Sequence, residues 1–220
     1  MKFLLPLVAV VASYLVGSLS FAVIVSRLMG LSDPRTYGSG NPGATNVLRS
    51  GSKAAAILTL VLDALKGFLP VALVVRFGPS YGLGEWTIAG VALAAFLGHL
   101  WPVFFKFKGG KGVATAAGAL FGIDPLLGAA TLATWLIIAA FFRYSSLASI
   151  VAALFAPFWY LLTTGPDAIA IAVFVMGALL VWRHSANIKR LFAGTESRIG
   201  SKAAPAARAA SAKGGRAARH

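Results

Sequence analysis

Lys106-Phe107-Lys108-Gly109-Gly110-Lys111-Gly112-Val113-Ala114-Thr115-Ala116-Ala117-Gly118-Ala119-Leu120-Phe121-Gly122-Ile123 is the stretch on which the fold turns. Three lysines and three glycines fall in its first seven residues, and an apolar segment of only eleven residues follows. A bilayer crossing needs about 20 apolar residues, so this segment reads either as a short crossing or as a half-helix buried in protein. The choice sets the sidedness of everything after it. The rest of the chain frames the question: of 220 residues, 58% are hydrophobic and 12% charged, and mean hydropathy is +0.81. A soluble domain has roughly 45–50% apolar and about 25% charged residues. The composition excludes an ordinary soluble protein and implies an integral membrane one.

Six further apolar runs are visible: Phe3 to Met29, Ala54 to Val75, Trp86 to Phe105, Leu126 to Phe142, Leu147 to Thr163 and Ala168 to Trp182. The first continues well past the apolar region of a signal peptide, so it reads as an uncleaved helix. The charges between the runs test the count, because cytoplasmic loops collect Lys and Arg. Arg35, Arg49 and Lys53 follow the first run; Lys106, Lys108 and Lys111 follow the third; Arg143 follows the fifth. The intervening loops carry Glu85, Asp124 and Asp167. Letting Val113 to Ile123 cross keeps this alternation, and omitting it inverts the second half. The expectation is an all-α integral membrane fold of seven transmembrane segments, one short, with the N-terminus outside and the C-terminus cytoplasmic. Lys2 alone runs against it.

Net charge is +14, and nine of the 20 basic residues lie beyond Trp182 against one acid, Glu196. Such an end belongs on the cytoplasmic side, near anionic lipid. Two domains of unequal kind are expected: a membrane body over 1–200 and a basic Ala/Lys/Arg-rich disordered tail over 201–220. Basic residues attract phosphate nonspecifically, so the tail alone implies no nucleic-acid partner. Cysteine is absent, which removes disulfides, thiolate metal sites and thiol catalysis.

Three polar segments share the expected cytoplasmic side. In Gly38-Ser39-Gly40-Asn41-Pro42-Gly43-Ala44-Thr45-Asn46-Val47-Leu48-Arg49, small residues leave backbone N–H groups open to a ligand, and Pro42 suits a first helical turn. Ser39 and Asn41 offer hydrogen bonds and Arg49 a planar fork for phosphate. In the opening stretch, Gly109, Gly110 and Gly112 lead into a helix whose positive N-terminal end favours an anion, with Lys108 and Lys111 supplying full charge. It is not a nucleotide-binding P-loop, since Gly112 stands where Ser or Thr would hold magnesium. In Arg183-His184-Ser185-Ala186-Asn187-Ile188-Lys189-Arg190, His184 and Asn187 share a helix face at three-residue spacing. A histidine there can exchange protons near neutral pH. No second histidine or carboxylate cluster accompanies it, so no metal is expected. Arg143-Tyr144-Ser145-Ser146 and Glu196 are secondary candidates, and His99 suits a structural hydrogen bond.

Asp63 and Lys66 fall in mid-span, where each would cost roughly 2.5–3.5 kcal/mol against lipid. They must face protein or water, as a mutual pair or as part of the site. Intramembrane charges also mark transport paths, so a transporter for an anionic solute is the alternative from another class. No internal repeat supports it.

GSGNPGATN with Arg49, then GHLWPVFFKFKGGKGVAT, then HSANIKRLFAGTE together resemble the PlsY family of membrane glycerol-3-phosphate acyltransferases that use acyl phosphate. The likeness runs from about Val8 to Gly200 and does not extend to the tail. It implies transfer of a fatty acyl group from acyl phosphate to the 1-hydroxyl of glycerol 3-phosphate, giving lysophosphatidic acid and phosphate. That is the first acylation of bacterial phospholipid synthesis. It also implies a multi-pass protein of the bacterial inner membrane with its active site facing the cytoplasm, in contact with membrane lipid and without cofactor. The other large acyltransferase class has His and Asp separated by four residues; here Phe104 and Lys189 stand at that distance from His99 and His184. On this reading His184, Asn187, Lys111 and Arg49 are catalytic candidates. Ser39, Asn41, Lys108, Gly109, Gly110, Gly112, Ser146 and Glu196 bind substrate. Acyl phosphate is already activated, so alignment and charge stabilisation are the main tasks. His184 as general base, a substrate phosphate oxygen as base, and an acyl-serine at Ser39 all remain open.

Overall fold

The structure, a computed structural model, describes residues 4–200; the tail from 201 lies outside the described residues. It is all helical, in the order α1 Leu4–Gly17, α2 Phe21–Leu28, α3 Ala44–Val47, α4 Lys53–Phe77, α5 Glu85–Leu100, α6 Val113–Ile123, α7 Pro125–Phe142, α8 Ser145–Thr163, α9 Ala168–Arg183 and α10 Ser185–Phe192. Helices α4, α5, α7 and α8, with short helical extensions of α4 and α5, are long and apolar enough to cross a membrane. The pairs α1 with α2 and α9 with α10 each make a bent segment, by 44° and 55°. With short α6, these are the seven apolar segments of the sequence. The first run is therefore not one continuous helix: it breaks at Ser18-Leu19-Ser20, and Ser18 and Ser20 are buried.

The acidic loops have a local purpose beyond sidedness. Asp124 caps α7, accepting from Leu127 N–H at 2.7 Å with Pro125 in the first turn, and Asp167 caps α9 through Ala170 N–H at 2.7 Å. Each satisfies one of the donors a helix start leaves unpaired. Pro42, by contrast, does not sit in a first helical turn; Gly43 caps α3 and Pro42 precedes it, buried.

Short α6 is held by backbone proximity to α4. A Cβ on Gly67 would fall 2.1 Å from the Thr115 carbonyl oxygen, and one on Gly118 would fall 1.9 Å from that of Ala64. Only glycine lets two helices in an apolar medium approach so closely, and the gain is dispersion contact rather than expelled water. A core through Val71, Val91, Phe96, Leu100 and Ala119 continues this contact toward α9 through Met176 and Leu180. Leu58, Leu69, Phe141, Leu162 and Phe174 stay exposed, as expected of helices whose outer faces meet lipid. The bundle thereby fixes one end, where the turn after α5, the start of α6 and the elbow between α9 and α10 meet.

Candidate active site

The glycine and lysine turn is built against its neighbours on every side. A Cβ on Gly109 would fall 2.1 Å from the His99 carbonyl oxygen, and one on Gly110 would fall 2.3 Å from His99 Nε2 and 2.9 Å from the Pro42 carbonyl oxygen. Gly110 N–H donates to the His99 carbonyl at 3.1 Å. Gly112 sits at φ +83 against Phe96, a conformation that suits glycine, and caps α6. Arg183, at the end of α9, occupies the carbonyl edge of the turn: Nη2 donates to the Gly109 and Gly110 oxygens at 3.1 and 2.9 Å, and Nε to Gly110 at 3.2 Å. The N–H groups of the first turn of α6 remain without helical partners, at the positive end of its dipole.

Lys111 projects from this turn to donate to Asn187 Oδ1. Asn187 Nδ2 donates to Glu196 Oε1 at 2.6 Å, Ser146 Oγ to the same oxygen at 2.8 Å, and Arg190 Nε to Oε2 at 2.7 Å. The amide of Asn187 is thus oriented, its oxygen to a cation and its nitrogen to a carboxylate. Burial chiefly pushes the Lys111 ammonium down to about 8; Arg190, Arg183 and Arg49 act the same way and Glu196 opposes them. Burial acts to raise the carboxyl of Glu196, but the hydrogen bonds from Asn187, Ser146 and Arg190 prevail and hold it below its ordinary value.

His184 forms the elbow between α9 and α10 and is buried. Its Nδ1 lies 2.8 Å from the Leu180 carbonyl oxygen. A carbonyl only accepts, so Nδ1 carries the proton and Nε2 presents a lone pair.

The first polar segment joins from the side. Buried Asn46 folds it: Oδ1 accepts from Ser39 N–H at 3.0 Å, and Nδ2 donates to the carbonyls of Pro34 and Tyr37 at 2.6 and 3.1 Å. Ser39 Oγ accepts from Asn41 N–H at 3.4 Å and is exposed. Arg49 Nη2 donates to Ser197 Oγ at 2.8 Å, tying this segment to the strand of chain after α10. That strand also docks on the turn between α7 and α8, where Ile199 N–H donates to the Arg143 carbonyl at 2.6 Å.

Lys111, Asn187, Ser146 and Glu196 are therefore in one hydrogen-bonded chain, with Gly109, Gly110, Gly112 and His184 beside it. Arg49 reaches Ser197, next to Glu196; Lys108 stays exposed on the rim. Arg183, Arg190 and Asn46 were not among the sequence candidates. Arg183 adjoins His184, which was a usable signal; the turn-building of Asn46 was not readable without the fold. Among the described residues no three of His, Asp and Glu gather as metal ligands. Four cations against one carboxylate, around a helix N-terminus with an amide and a buried imidazole, give this arrangement the chemistry to hold an anion.

An all-helical integral membrane protein with a cation-rich polar cluster at one end of its bundle is the class these features define. Residues 7–194 match the glycerol-3-phosphate acyltransferase family, and the chain belongs to it. It is 67% identical over 191 residues to the glycerol-3-phosphate acyltransferase of Cupriavidus necator, covering 87% of this chain and 95% of that one. It is 66% identical over 195 residues to that of Ralstonia nicotianae, covering 89% and 94%. The crystal structure of PlsY (YgiH), an integral membrane glycerol 3-phosphate acyltransferase, in its glycerol 3-phosphate form, superposes with a TM-score of 0.83 at 42% identity, covering 89% of this chain and 96% of that one. Its lysophosphatidic acid form gives 0.81. The chain is a multi-pass membrane glycerol-3-phosphate acyltransferase.

Proposed function

We propose that the acyl donor is an acyl phosphate, and that the chain transfers its fatty acyl group to the 1-hydroxyl of glycerol 3-phosphate, releasing lysophosphatidic acid and inorganic phosphate. The observation that carries this reading is the pairing of Lys111 with Asn187 beside the N-terminus of α6. It places a partly desolvated ammonium and open backbone N–H groups together, which suits the phosphate of a donor whose acyl chain lies in the membrane. The remaining cations, Arg49 above all, with Ser39 and Asn187, suit the phosphate of glycerol 3-phosphate.

The step balances without a cofactor. The hydroxyl oxygen attacks the acyl carbonyl carbon, the carbon–oxygen bond to phosphate breaks, and the departing phosphate needs one proton at neutral pH. The hydroxyl supplies one. His184 Nε2 accepts it as the new bond forms and passes it to the departing phosphate. Alignment of two bound reactants and N–H and ammonium stabilisation of the developing charge supply the remaining acceleration. An acyl-serine at Ser39 is not favoured: its hydroxyl accepts from Asn41 N–H, and among the described residues no hydrogen bond joins it to a base. Apart from Arg76 at the far end of α4, the basic ends of the spans lie at the same end of the bundle as the site, which supports seven crossings with an outer N-terminus and a site facing the cytoplasm of a bacterial inner membrane.

The donor is tested with purified protein in detergent and labelled glycerol 3-phosphate, supplying palmitoyl phosphate or palmitoyl-CoA. Labelled lysophosphatidate from palmitoyl phosphate alone is expected. Equal product from palmitoyl-CoA would overturn the donor reading while leaving the family activity intact.

A further inference from the structure

A second polar cluster lies beneath the glycine turn, inside the bundle. Lys66 Nζ is 2.7 Å from Asp63 Oδ1, with side chains 2% and 3% exposed. Lys66 also donates to the Leu19 carbonyl oxygen at 2.7 Å, in the break between α1 and α2, and lies 5.7 Å from the Phe21 ring centroid. Asp63 Oδ1 is 3.7 Å from His99 Nδ1, and Thr115 Oγ1 is 3.1 Å from the same nitrogen. On its far side, His99 Nε2 faces Gly110, where a Cβ would fall 2.3 Å away, and the His99 carbonyl accepts Gly110 N–H.

None of these four side chains is in the chain of contacts from Lys111 to Glu196. Ion pairs in a bundle interior are expensive and need a reason. Here the pair links a kinked first segment, α4, the end of α5 and the first turn of α6, the elements that frame the turn. The imidazole is a spacer between the pair and Gly110. Its ring packs against Gly110 while its backbone carbonyl accepts the Gly110 N–H, so both face the turn that carries Lys111.

We propose that His99 is a positioning residue for the donor-phosphate turn, its ring held by Thr115 Oγ1 beside the Asp63–Lys66 pair. The proposal rests on the donor reading above. It touches no substrate directly, so its signature is selective: the Michaelis constant of the acyl donor, and not that of glycerol 3-phosphate, depends on it.

The test compares His99→Leu, which keeps bulk without hydrogen bonds, with His99→Gln, which restores polar contacts. For His99→Leu a rise of about 10-fold in the palmitoyl phosphate KM is expected, with the glycerol 3-phosphate KM moving less than about 2-fold, and His99→Gln returns the donor KM to within about 3-fold of wild type. If His99→Leu does not fold, Thr115→Val, which removes only the hydroxyl at Nδ1, is expected to move the donor KM in the same direction by about 3-fold. A loss of melting temperature with both KM values unchanged, or an equal shift in both, would overturn the proposal. A wild type that works only with another acyl donor sinks the donor reading alone, and the same comparison on that donor then decides the role of His99.

Discussion

The two bent segments are used in different ways. Between α1 and α2 the backbone turns by 44°, and between α9 and α10 by 55°. A break can free carbonyls from the helical ladder, which an apolar medium tolerates only if another donor takes them. At the first break the donor to Leu19 is Lys66, whose ammonium also lies 2.7 Å from Asp63 Oδ1. At the second, the Leu180 carbonyl keeps its helical bond from His184 N–H and also accepts from Nδ1 of the same residue, while the ring keeps a second nitrogen available. The first break is held by a residue of another helix; the second carries a side chain half committed to its own helix, whose other half can do chemistry.

That contrast is broken most severely at the first break. Asp63→Asn removes one partner of a buried pair and leaves Lys66 uncompensated, a loss of about 3–5 kcal/mol. Thermal unfolding in detergent should show it, and the double variant Asp63→Asn/Lys66→Met, which leaves no unpaired charge, should recover most of the loss. At the second break His184→Gln should leave the melting temperature near wild type but lower kcat about 100-fold, with the glycerol 3-phosphate KM within about 3-fold. Retained kcat with a raised KM would instead assign the proton to a substrate phosphate oxygen. Glu196→Gln weakens the orientation of Asn187 and should reduce kcat/KM about 10-fold, through loss of about 1.4 kcal/mol.

The pH profile sharpens the comparison with the smallest perturbation. Lys111 titrates near 8, so its charge is present below that pH and lost above it. The kcat/KM for acyl phosphate should therefore fall as pH rises through about 8, and Lys111→Arg should remove that limb.

The spans were readable in the sequence because lipid-facing helices must be apolar over their length. The short segment Val113 to Ile123 emerged as a helix with those bounds, since glycines at 118 and 122 mark close packing as well as brevity. The break at Ser18-Leu19-Ser20 was not readable, because two serines within an apolar run do not stop a helix by themselves; the partner that stabilises the break is 47 residues away. At the site, Lys111, His184 and Asn187 stood out through their residue types and spacing. The carbonyl contacts of Arg183 and the ring of His99 over Gly110 depend on helices meeting in space, for which the sequence carries no periodic signal. The pairing of Asp63 with Lys66 was an open alternative, and the i, i+3 geometry realises it.

The most direct test of the account is the rate of labelled lysophosphatidate formation from palmitoyl phosphate by Lys111→Ala beside wild type. With the melting temperature unchanged, kcat/KM should fall at least about 100-fold, near 3 kcal/mol, as expected for a charged contact to the donor phosphate. A folded variant with wild-type turnover would contradict it and place the donor phosphate away from the glycine turn.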